Sequence, residues 1–503
     1  MCGICGIYNR ERGHAVAGAD IQAMCDAIIH RGPDDEGQYI QGPVGLGMRR
    51  LAIIDLATGR QPILNEEGDA VIVLNGEIYN YLELRRDLES RGHHFRTRSD
   101  TEAVLHAYEE YGEECPSYLN GMFAFAIWDE KRQRLFIARD RIGKKPLYYH
   151  FDGKRLVFAS EIKAILRLRE IPREVDPRAL DAYLTFEYIP APLSIFKSIR
   201  KLPQGHWLSL DRQGLQIRRY WRLLYRASAK AEADLAAEFL DLLRDAVRIR
   251  LMSEVPLGAF LSGGLDSSAV VAMMSQTATA GVKSYSIGFD NATYNELPWA
   301  RLVARHFGTE HHEEIITPDA VGLTERIVRQ LDEPLGDFSV FPTWMVSEMA
   351  RKHVTVVLSG DGGDELLGGY ETYIAERTAR RYARLPGWLR KGAIEPLVAL
   401  LPPTEKKKGF INKSRRFIEG CRLPADLQHV RWMIFLQEAE KRLLYSEALR
   451  GELTAHDPYG FIRQAFAGCD SPAPLDQQEY VDIVTYLADD IMVKVDRMSM
   501  AVS

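Results

Sequence analysis

The chain has 503 residues, of which 46% are hydrophobic and 27% charged, and its formal net charge is −6. This length allows two or three domains with ample buried core, and the composition is that of an ordinary globular protein. Basic and acidic residues are interspersed along the chain, and the run KKK (406–408) is most simply a solvated loop, which argues against a nucleic-acid partner. No apolar run is long enough to span a bilayer.

The first part of the chain is rich in predicted β-strands. Short runs with β-branched and aromatic residues predict strands at VIVLN (71–75), FAFAIWD (123–129), RLFIARD (134–140) and LVFAS (156–160). Apolar residues at helical spacing predict helices at IQAMCDAII (21–29), YLELRRDLES (81–90) and TEAVLHAYEEY (101–111). Asp100 is the predicted N-cap of the third helix.

A domain boundary is predicted in the polar, alanine-rich segment RASAKAEAD (226–234), which gives one domain over 2–215 and another over 232–503. In the second domain, predicted strands at VPLGAFL (255–261), SYSIGFD (284–290) and VTVVLS (354–359) alternate with amphipathic helices. This alternation predicts an α/β parallel sheet. The segment from about residue 375 onward is predicted to be mostly helical.

Six cysteines are few for this length and indicate a reducing compartment with free thiols. Cys2 and Cys5 have the spacing of half a zinc site or of a redox pair. A structural zinc site needs a second pair of ligands, and the other cysteines are isolated. A redox pair would follow a strand inside the fold, whereas this one opens the chain.

The loop LSGGLDSS (261–268) follows a predicted strand and opens a helix. Gly263 and Gly264 allow close backbone approach to a ligand, and a helix N-terminus favours an anion. Ser262 and Ser267 add hydroxyl groups. Asp266 would repel a phosphate but would hold Mg²⁺ beside one. The alternative is an ordinary strand-to-helix turn.

A second acidic glycine loop, SGDGGDE (359–365), also follows a predicted strand. Ligands of open α/β sheets lie beyond the carboxyl ends of the strands, so both loops should meet there. This placement makes Asp266 and Asp364 a predicted metal-binding pair.

Longer motifs resemble known families. SGGLDSS is similar to the pyrophosphate-binding loop of the ATP pyrophosphatase superfamily. MCGICGI, HRGPDD (30–35), RRLAIID (49–55), NGEIYN (75–80) and SDTEA (99–103) resemble class II glutamine amidotransferases. Both sets in this order resemble the family of glutamine-hydrolysing asparagine synthetases. The resemblance implies an N-terminal nucleophile hydrolase sandwich (αββα), followed by an α/β PP-loop domain with a helical C-terminal part.

The resemblance implies a role for Cys2 that its position explains. After removal of Met1, its thiol would attack the glutamine side-chain amide, and its own α-amine would be the base. The oxyanion hole would consist of Asn75 and Gly76, although Asn-Gly alone is typical of a hairpin turn. Arg50 would bind the glutamine α-carboxylate, and Glu77 and Asp100 its α-amine. The remaining implied pocket residues are Leu51, Ala52, Ile53 and Ile54. HRGPDD would shape this site without taking part in the chemistry.

In the second domain the resemblance implies adenylation of aspartate by ATP with Mg²⁺, followed by attack of ammonia on β-aspartyl-AMP. Implied nucleotide-binding residues are Leu261, Ser262, Gly263, Gly264, Asp266, Ser267, Ile287, Ser359 and Gly360. Asp361 falls near the reacting carbonyl, where many members have Glu. An apolar tunnel would carry ammonia between the sites.

The family also implies a cytoplasmic enzyme, a homodimer, and further sequence after the helix that ends in VKVDRMSMAVS, so the synthetase domain is expected to be truncated. Two alternatives stay open at this point. The acceptor could be another carboxylate, in a cell-surface polysaccharide, a secondary metabolite or a β-lactam precursor. The chain could also be a non-catalytic regulator that binds glutamine or nucleotide.

Overall fold

Two six-stranded antiparallel sheets form the first domain in the computed structural model, which describes residues 2–11, 13–278, 281–291, 295–316, 320–402 and 409–503. The strands are β1 (Gly3–Asn9), β2 (Asp35–Gln41), β3 (Val44–Arg50), β4 (Ile63–Leu64), β5 (Ala70–Ile78), β6 (Gly121–Asp129), β7 (Arg134–Arg139), β8 (Tyr148–Phe151), β9 (Arg155–Ala159), β10 (Ile199–Lys201), β11 (His206–Leu210) and β12 (Leu215–Arg219). The helices are α1 (Gly18–Ala27), α2 (Tyr81–Ser90), α3 (Asp100–Tyr111), α4 (Ile162–Ile165) and α5 (Pro177–Phe186).

The strand orders are β10-β8-β9-β1-β3-β2 and β12-β11-β7-β6-β5-β4. Apolar side chains of both sheets, among them Ile4, Leu46, Val73 and Trp128, form one buried core between them. The outer face of the first sheet packs on α1 and α4, and that of the second on α2 and α3. These four layers confirm the predicted αββα sandwich.

The second domain begins with α6 (Glu232–Arg250) and contains a four-stranded parallel sheet of order β15-β14-β13-β16. The strands are β13 (Leu257–Phe260), β14 (Lys283–Phe289), β15 (Glu310–Ile316) and β16 (Val356–Leu358). The helices between and after them are α7 (Leu265–Thr277), α8 (Leu297–Phe307), α9 (Ala320–Leu331), α10 (Val340–Arg351) and α11 (Gly363–Leu367). This arrangement confirms the predicted α/β domain.

The rest of the domain is helical, as predicted. Its α-helices are α12 (Glu371–Tyr382), α13 (Gly387–Leu389), α14 (Glu395–Leu400), α15 (Phe410–Cys421), α16 (Glu438–Leu444), α17 (Glu447–Glu452), α18 (Gly460–Gly468), α19 (Pro474–Asp482) and α20 (Met492–Met500). A π-helix over Ile483–Ile491 joins α19 to α20. In the described part of the chain, no helix combines the length and the apolar character required to cross a membrane.

One local prediction is wrong. The N-cap of α3 is Ser99, whose side chain accepts a hydrogen bond from the Thr101 backbone N–H. Asp100 is already the first helical residue, and its carboxylate accepts instead from the Ile78 backbone N–H at 2.9 Å. The Asp100 side chain is therefore directed to β5.

Candidate functional site

The predicted glutamine pocket lies where β1, β3, β5 and α3 begin or end. Cys2 directly precedes β1, and Asn75, Gly76 and Glu77 belong to β5. Arg50 ends β3, and Asp100 begins α3. The sandwich thus brings together, in one buried site, residues that are up to about 100 positions apart in sequence.

Cys2 is held by contacts on both sides of its backbone. Its N–H donates to Asn75 Oδ1 at 3.1 Å, and its carbonyl accepts from Arg31 Nε at 3.0 Å. The Sγ atom lies 3.8 Å from the Leu51 carbonyl oxygen. Burial raises the pKa of the Cys2 thiol, so the thiol needs a base to become a nucleophile. Met1 lies outside the described residues, so its predicted removal stays a prediction.

The geometry does not match a shared zinc site or a redox pair formed by Cys2 and Cys5. Cys5 Sγ lies 3.7 Å from Cys25 Sγ, on the side of β1 that faces α1. Cys2 instead belongs to the core between the two sheets. The two thiols therefore point to opposite faces of the first sheet. This follows from their spacing of three residues, because successive side chains of an extended chain alternate between the two faces.

Asn75 and Gly76 lie inside β5, so the hairpin-turn alternative is wrong. Asn75 Nδ2 is buried, and no hydrogen-bond partner for it exists among the described residues. A Cβ atom at Gly76 would lie 2.1 Å from the Met122 carbonyl oxygen, so no larger residue fits there. A free amide donor beside a reactive thiol is what an oxyanion hole requires.

Arg50 is fixed by the loop that follows it. Its Nη2 donates to the carbonyl oxygens of Ile54 at 3.0 Å and Asp55 at 2.8 Å. A Cβ atom at Gly59 would lie 2.7 Å from this nitrogen, so glycine is needed for the loop to close over the guanidinium. In the HRGPDD motif, Asp34 accepts from the Ala52 N–H at 3.0 Å, which supports its predicted shaping role.

Two carboxyl groups complete the pocket, and burial changes their protonation. Burial raises the pKa of Asp100 to about 6, although backbone N–H groups counteract it. Burial also raises the pKa of Glu77 to about 7. A cationic ligand such as an α-ammonium group would restore the charged form of both.

Most of the predicted pocket residues line one cavity, together with four that were not predicted as site residues, although two of these, Ser99 and Thr101, belong to the SDTEA motif. The predicted members are Cys2, Arg50, Leu51, Ile53, Ile54, Gly76, Glu77 and Asp100, and the additional ones are Gly59, Gln61, Ser99 and Thr101. Ala52 and Asn75 do not line it; Asn75 contacts the lining residue Cys2, and the Ala52 N–H donates to Asp34. Gln61 accepts from the Leu74 N–H and donates to Thr101, so it joins β5 to α3.

The predicted phosphate loop follows β13 and opens α7. Gly263 has a φ of 84°, and a Cβ atom there would lie 2.5 Å from the Ala300 backbone nitrogen. Ser262 Oγ accepts from the Gly264 N–H and lies 3.0 Å from Ser267 Oγ. The loop is therefore held by its own hydroxyl groups and leads directly into the N-terminus of α7, a position that favours an anion.

The two glycine loops meet, as predicted. A Cβ atom at Gly360 would lie 2.7 Å from the Ser267 nitrogen, and one at Gly363 would lie 2.4 Å from Asp266 Cγ. The Asp266 carboxyl group thus lies against the backbone that carries Asp364, whose own carboxylate lies beside Gly369. Carboxylate oxygens on adjoining loops are the ligand type that Mg²⁺ prefers, and the absence of side chains at Gly363 and Gly369 makes room for these two carboxyl groups.

The other predicted nucleotide residues surround these loops. Leu261 is buried, and its carbonyl oxygen accepts from Ser286. Ile287 lies on β14, beside β13. Ser359 and Asp361 follow β16 and line a cavity of about 240 Å³.

This cavity extends from the second domain to the first. At one end it is lined by Ser359 and Asp361, and at the other by Leu51 and Glu77, which also line the glutamine pocket. Most of its wall between them is apolar, with Ile53, Met122, Val356, Leu358, Met492, Val495 and Met500. Lys144 also faces it, and burial lowers the pKa of Lys144 to about 8.

Arg31 links the Cys2 backbone to the second domain in a way that the sequence did not indicate. Besides the Cys2 carbonyl, its guanidinium contacts Glu161 at 2.8 Å and Asp496 of α20 at 2.8 Å. Asp496 also pairs with Lys145 at 3.2 Å, and all of these side chains are buried. The position of Cys2 is thus tied to a helix of the second domain.

Comparison with known proteins gives two family matches. A model described as glutamine amidotransferase domain matches residues 1–221, and one described as asparagine synthase matches residues 238–503. Asparagine synthetase (glutamine-hydrolyzing) 1 of Bacillus subtilis is 35% identical over 505 residues, which cover 100% of this chain and 78% of that protein. Asparagine synthetase (glutamine-hydrolyzing) 3 of the same organism is 37% identical over 427 residues, which cover 81% of this chain and 68% of that protein.

Among solved structures, glutamine phosphoribosylpyrophosphate amidotransferase from B. subtilis aligns with 72% of this chain and 82% of its own, at 18% identity. The TM-score is 0.35, which is too low to bear on the fold.

Proposed function

Because the chain belongs to the asparagine synthase family and contains its glutamine amidotransferase domain, we propose that it makes asparagine from aspartate, ATP and glutamine-derived ammonia. The observation that carries the proposal is one cavity that shares Leu51, Ile53 and Glu77 with the Cys2 pocket and is also lined by Ser359 and Asp361 of the second glycine loop. A regulator that only binds ligands would not need an apolar passage between two equipped sites.

In the first half-reaction, Cys2 attacks the side-chain amide of glutamine after its α-amine has taken the thiol proton. The oxyanion that forms accepts from Asn75 Nδ2 and the Gly76 N–H. Collapse releases ammonia and leaves a thioester, which water hydrolyses to glutamate. Arg50 binds the glutamine α-carboxylate while Glu77 and Asp100 bind its α-amine, and this selects free glutamine over protein-bound amides.

In the second half-reaction, the β-carboxylate of aspartate attacks the α-phosphorus of ATP, and pyrophosphate leaves. The phosphate-binding loop holds the pyrophosphate group through backbone N–H groups and the hydroxyl groups of Ser262 and Ser267. Mg²⁺, bound by Asp266 and Asp364, would neutralise phosphate charge. Leu261 and Ile287 lie against the adenine, Ser359 and Gly360 contact the nucleotide, and Asp361 lies near the carbonyl. Ammonia then displaces AMP and gives the amide.

The 240 Å³ cavity is the proposed route for ammonia. Its apolar wall keeps ammonia unprotonated, and ammonium would pay a large desolvation cost there. Six free cysteines also favour a reducing compartment, and we propose the cytoplasm. A homodimer stays a prediction of the family resemblance.

A larger side chain in this passage should separate the two half-reactions. Val495 is half-buried and lines the cavity, so Val495→Phe is expected to fill it. Glutamine hydrolysis should continue while amide formation falls, which raises the ratio of glutamate to asparagine at least about threefold. Both products are measured by chromatography, with Val495→Leu as the control. An unchanged ratio in Val495→Phe would place the route elsewhere.

Glutamine affinity should weaken in acid. The ionised carboxylates are the forms that bind an ammonium group, and they are lost as the pH falls through about 7 for Glu77 and about 6 for Asp100. Calorimetry on the Cys2→Ala variant isolates binding from chemistry. Kd should be at least about tenfold higher near pH 5 than near pH 8. A constant Kd across this range would contradict the assignment of these carboxylates.

Isotope transfer tests the whole proposal. The protein is incubated with ATP, Mg²⁺, aspartate and glutamine labelled with ¹⁵N in its side-chain amide. Mass spectrometry should then find ¹⁵N in the asparagine amide, with AMP and pyrophosphate formed in equal amounts. Glutamate without asparagine would instead favour another carboxylate acceptor. Neither product would support the non-catalytic alternative.

A further inference from the structure

A cluster of metal-ligand side chains lies apart from both proposed sites, at the outer end of α3. It consists of Glu66, His93, His106 and Glu109, and we call it the His93–His106 cluster. One donor atom of each residue lies within 4.8 Å of the others. The residues come from three segments: the turn after β4, the connection between α2 and α3, and α3 itself. We propose that this cluster binds one Zn²⁺ ion as a structural site.

The spacing of the donor atoms is that of ligands around a shared ion. His93 Nδ1 lies 3.6 Å from Glu66 Oε1 and 3.9 Å from Glu109 Oε2, which is too far for hydrogen bonds. His106 Nδ1 lies 3.5 Å from Glu66 Oε2 and 2.7 Å from Glu109 Oε2. Tetrahedral Zn²⁺ with bonds of about 2.0–2.1 Å separates its ligands by about 3.4 Å. The two distances to Glu66 therefore lie close to the tetrahedral value, His93 lies slightly farther from Glu109, and His106 is within hydrogen-bond distance of Glu109.

The far side of each imidazole ring faces a further carboxylate. His106 Nε2 lies 3.7 Å from Glu102 Oε1, and His93 Nε2 lies 3.9 Å from Glu110 Oε2. These distances are longer than a hydrogen bond, but the two carboxylates lie on the side where a metal-bound histidine usually donates its other N–H. Glu102 is itself held by the backbone N–H groups of Arg96 and Thr97, each at 2.7 Å. Both rings are thus oriented with Nδ1 toward the centre of the cluster.

Charge and access also fit a divalent cation. Two neutral imidazoles and two carboxylates balance the charge of Zn²⁺, and this ligand chemistry suits it better than Mg²⁺ or Ca²⁺. His106 is fully buried, whereas the side chains of His93, Glu66 and Glu109 are 17%, 25% and 23% exposed. The ion can therefore enter from solvent and be held on its inner side by a rigid ligand.

A proton is the competing occupant. Burial disfavours the charged form of His106, but the carboxylates of Glu102 and Glu109 outweigh it and raise its pKa to about 9. In that case His106 would be an imidazolium ion in a buried ion-pair cluster, and His93 Nδ1 would not be needed as a ligand, since it lies 3.6 Å or more from the carboxylates. Zn²⁺ binding therefore requires His93 as a ligand, whereas a proton on His106 does not.

Metal titration of the full-length protein distinguishes them. After treatment with a chelator and dialysis, the protein should bind one Zn²⁺ per chain in a competition assay, and Co²⁺ should give the visible absorption bands of a tetrahedral site. His93→Asn and Glu109→Gln should each weaken Zn²⁺ binding at least about 100-fold, since loss of an outer partner alone costs 10–100-fold. His94→Asn is the matched control, because this adjacent histidine is exposed and lies outside the cluster.

A thermal readout keeps the test independent of the reaction. Saturating Zn²⁺ should raise the Tm of the wild-type protein and of His94→Asn but leave that of His93→Asn unchanged. Wild-type protein that binds Zn²⁺ no more tightly than His93→Asn, or binds it without the tetrahedral Co²⁺ spectrum, would overturn the proposal and leave the protonated ion-pair cluster.

Discussion

Cys2→Ala is expected to lower glutamine-dependent asparagine formation at least about 10⁴-fold, because the attacking atom is removed and no other thiol can replace it. Cys5 lies on the opposite face of the sheet, against Cys25. Synthesis from added ammonium salts should continue at the wild-type rate, since the second domain and the cavity are untouched. Rates are measured as glutamate and asparagine formed with either nitrogen source.

Cys5→Ala is the matched control for this variant. It removes a buried thiol from the same strand but not from the pocket, so it should retain glutamine-dependent synthesis. If Cys2→Ala loses both activities while its far-UV spectrum and Tm are unchanged, the two sites are not separable in the way we propose. If it retains glutamine hydrolysis, Cys2 is not the nucleophile.

Asp266→Asn is expected to have the opposite effect: it should impair asparagine synthesis and leave glutamine hydrolysis intact. Without this carboxylate the loop loses a proposed Mg²⁺ ligand, so the phosphate charge is neutralised less well and adenylation should fall about 100-fold or more. Asparagine formation should fall equally with glutamine or ammonia as nitrogen source. Glutamine hydrolysis at the Cys2 pocket should persist, because Asp266 contacts the Gly363 backbone of its own domain and not the pocket.

Pyrophosphate release measures the adenylation step. The Mg²⁺ dependence of its rate tests whether Asp266 is a Mg²⁺ ligand. The variant should need more Mg²⁺ for half-maximal rate. Asp241→Asn, a change at an exposed aspartate of α6, should match the wild type in both measurements. Normal adenylation in Asp266→Asn would remove this residue from the metal site.

The sequence predicted the fold well because local patterns and tertiary structure agree in most elements. The helix predicted over 81–90 is α2 without any change of boundary. Strands β5 and β6 extend the predicted strands by a few residues, β7 ends one residue earlier, and β9 is shifted by one residue. The family resemblance is also confirmed by the two family matches. The predicted N-cap of α3 was wrong: Ser99 caps the helix, whereas the Asp100 carboxylate accepts a hydrogen bond from the Ile78 backbone N–H of β5.

The parts of the site that could not be predicted depend on contacts between distant segments. Arg31 belongs to a motif that reads locally as a turn, yet its partners are the Cys2 carbonyl and Asp496, which is 465 positions away. The His93–His106 cluster has no recognisable ligand spacing, because its four donors come from three segments. Gly59 and Gly76 are the parts of the site that are visible in the local sequence. A larger residue at Gly59 would clash with Arg50, and one at Gly76 would clash with β6.

The intact mass of catalytically active protein tests the central claim most directly. The account requires that Cys2 provide both the nucleophilic thiol and the amine that accepts its proton, so the mass should correspond to a chain without Met1. Brief incubation with glutamine at low temperature should add the mass of a glutamyl thioester to that species. Full glutamine-dependent activity in a preparation that retains Met1 would contradict the account.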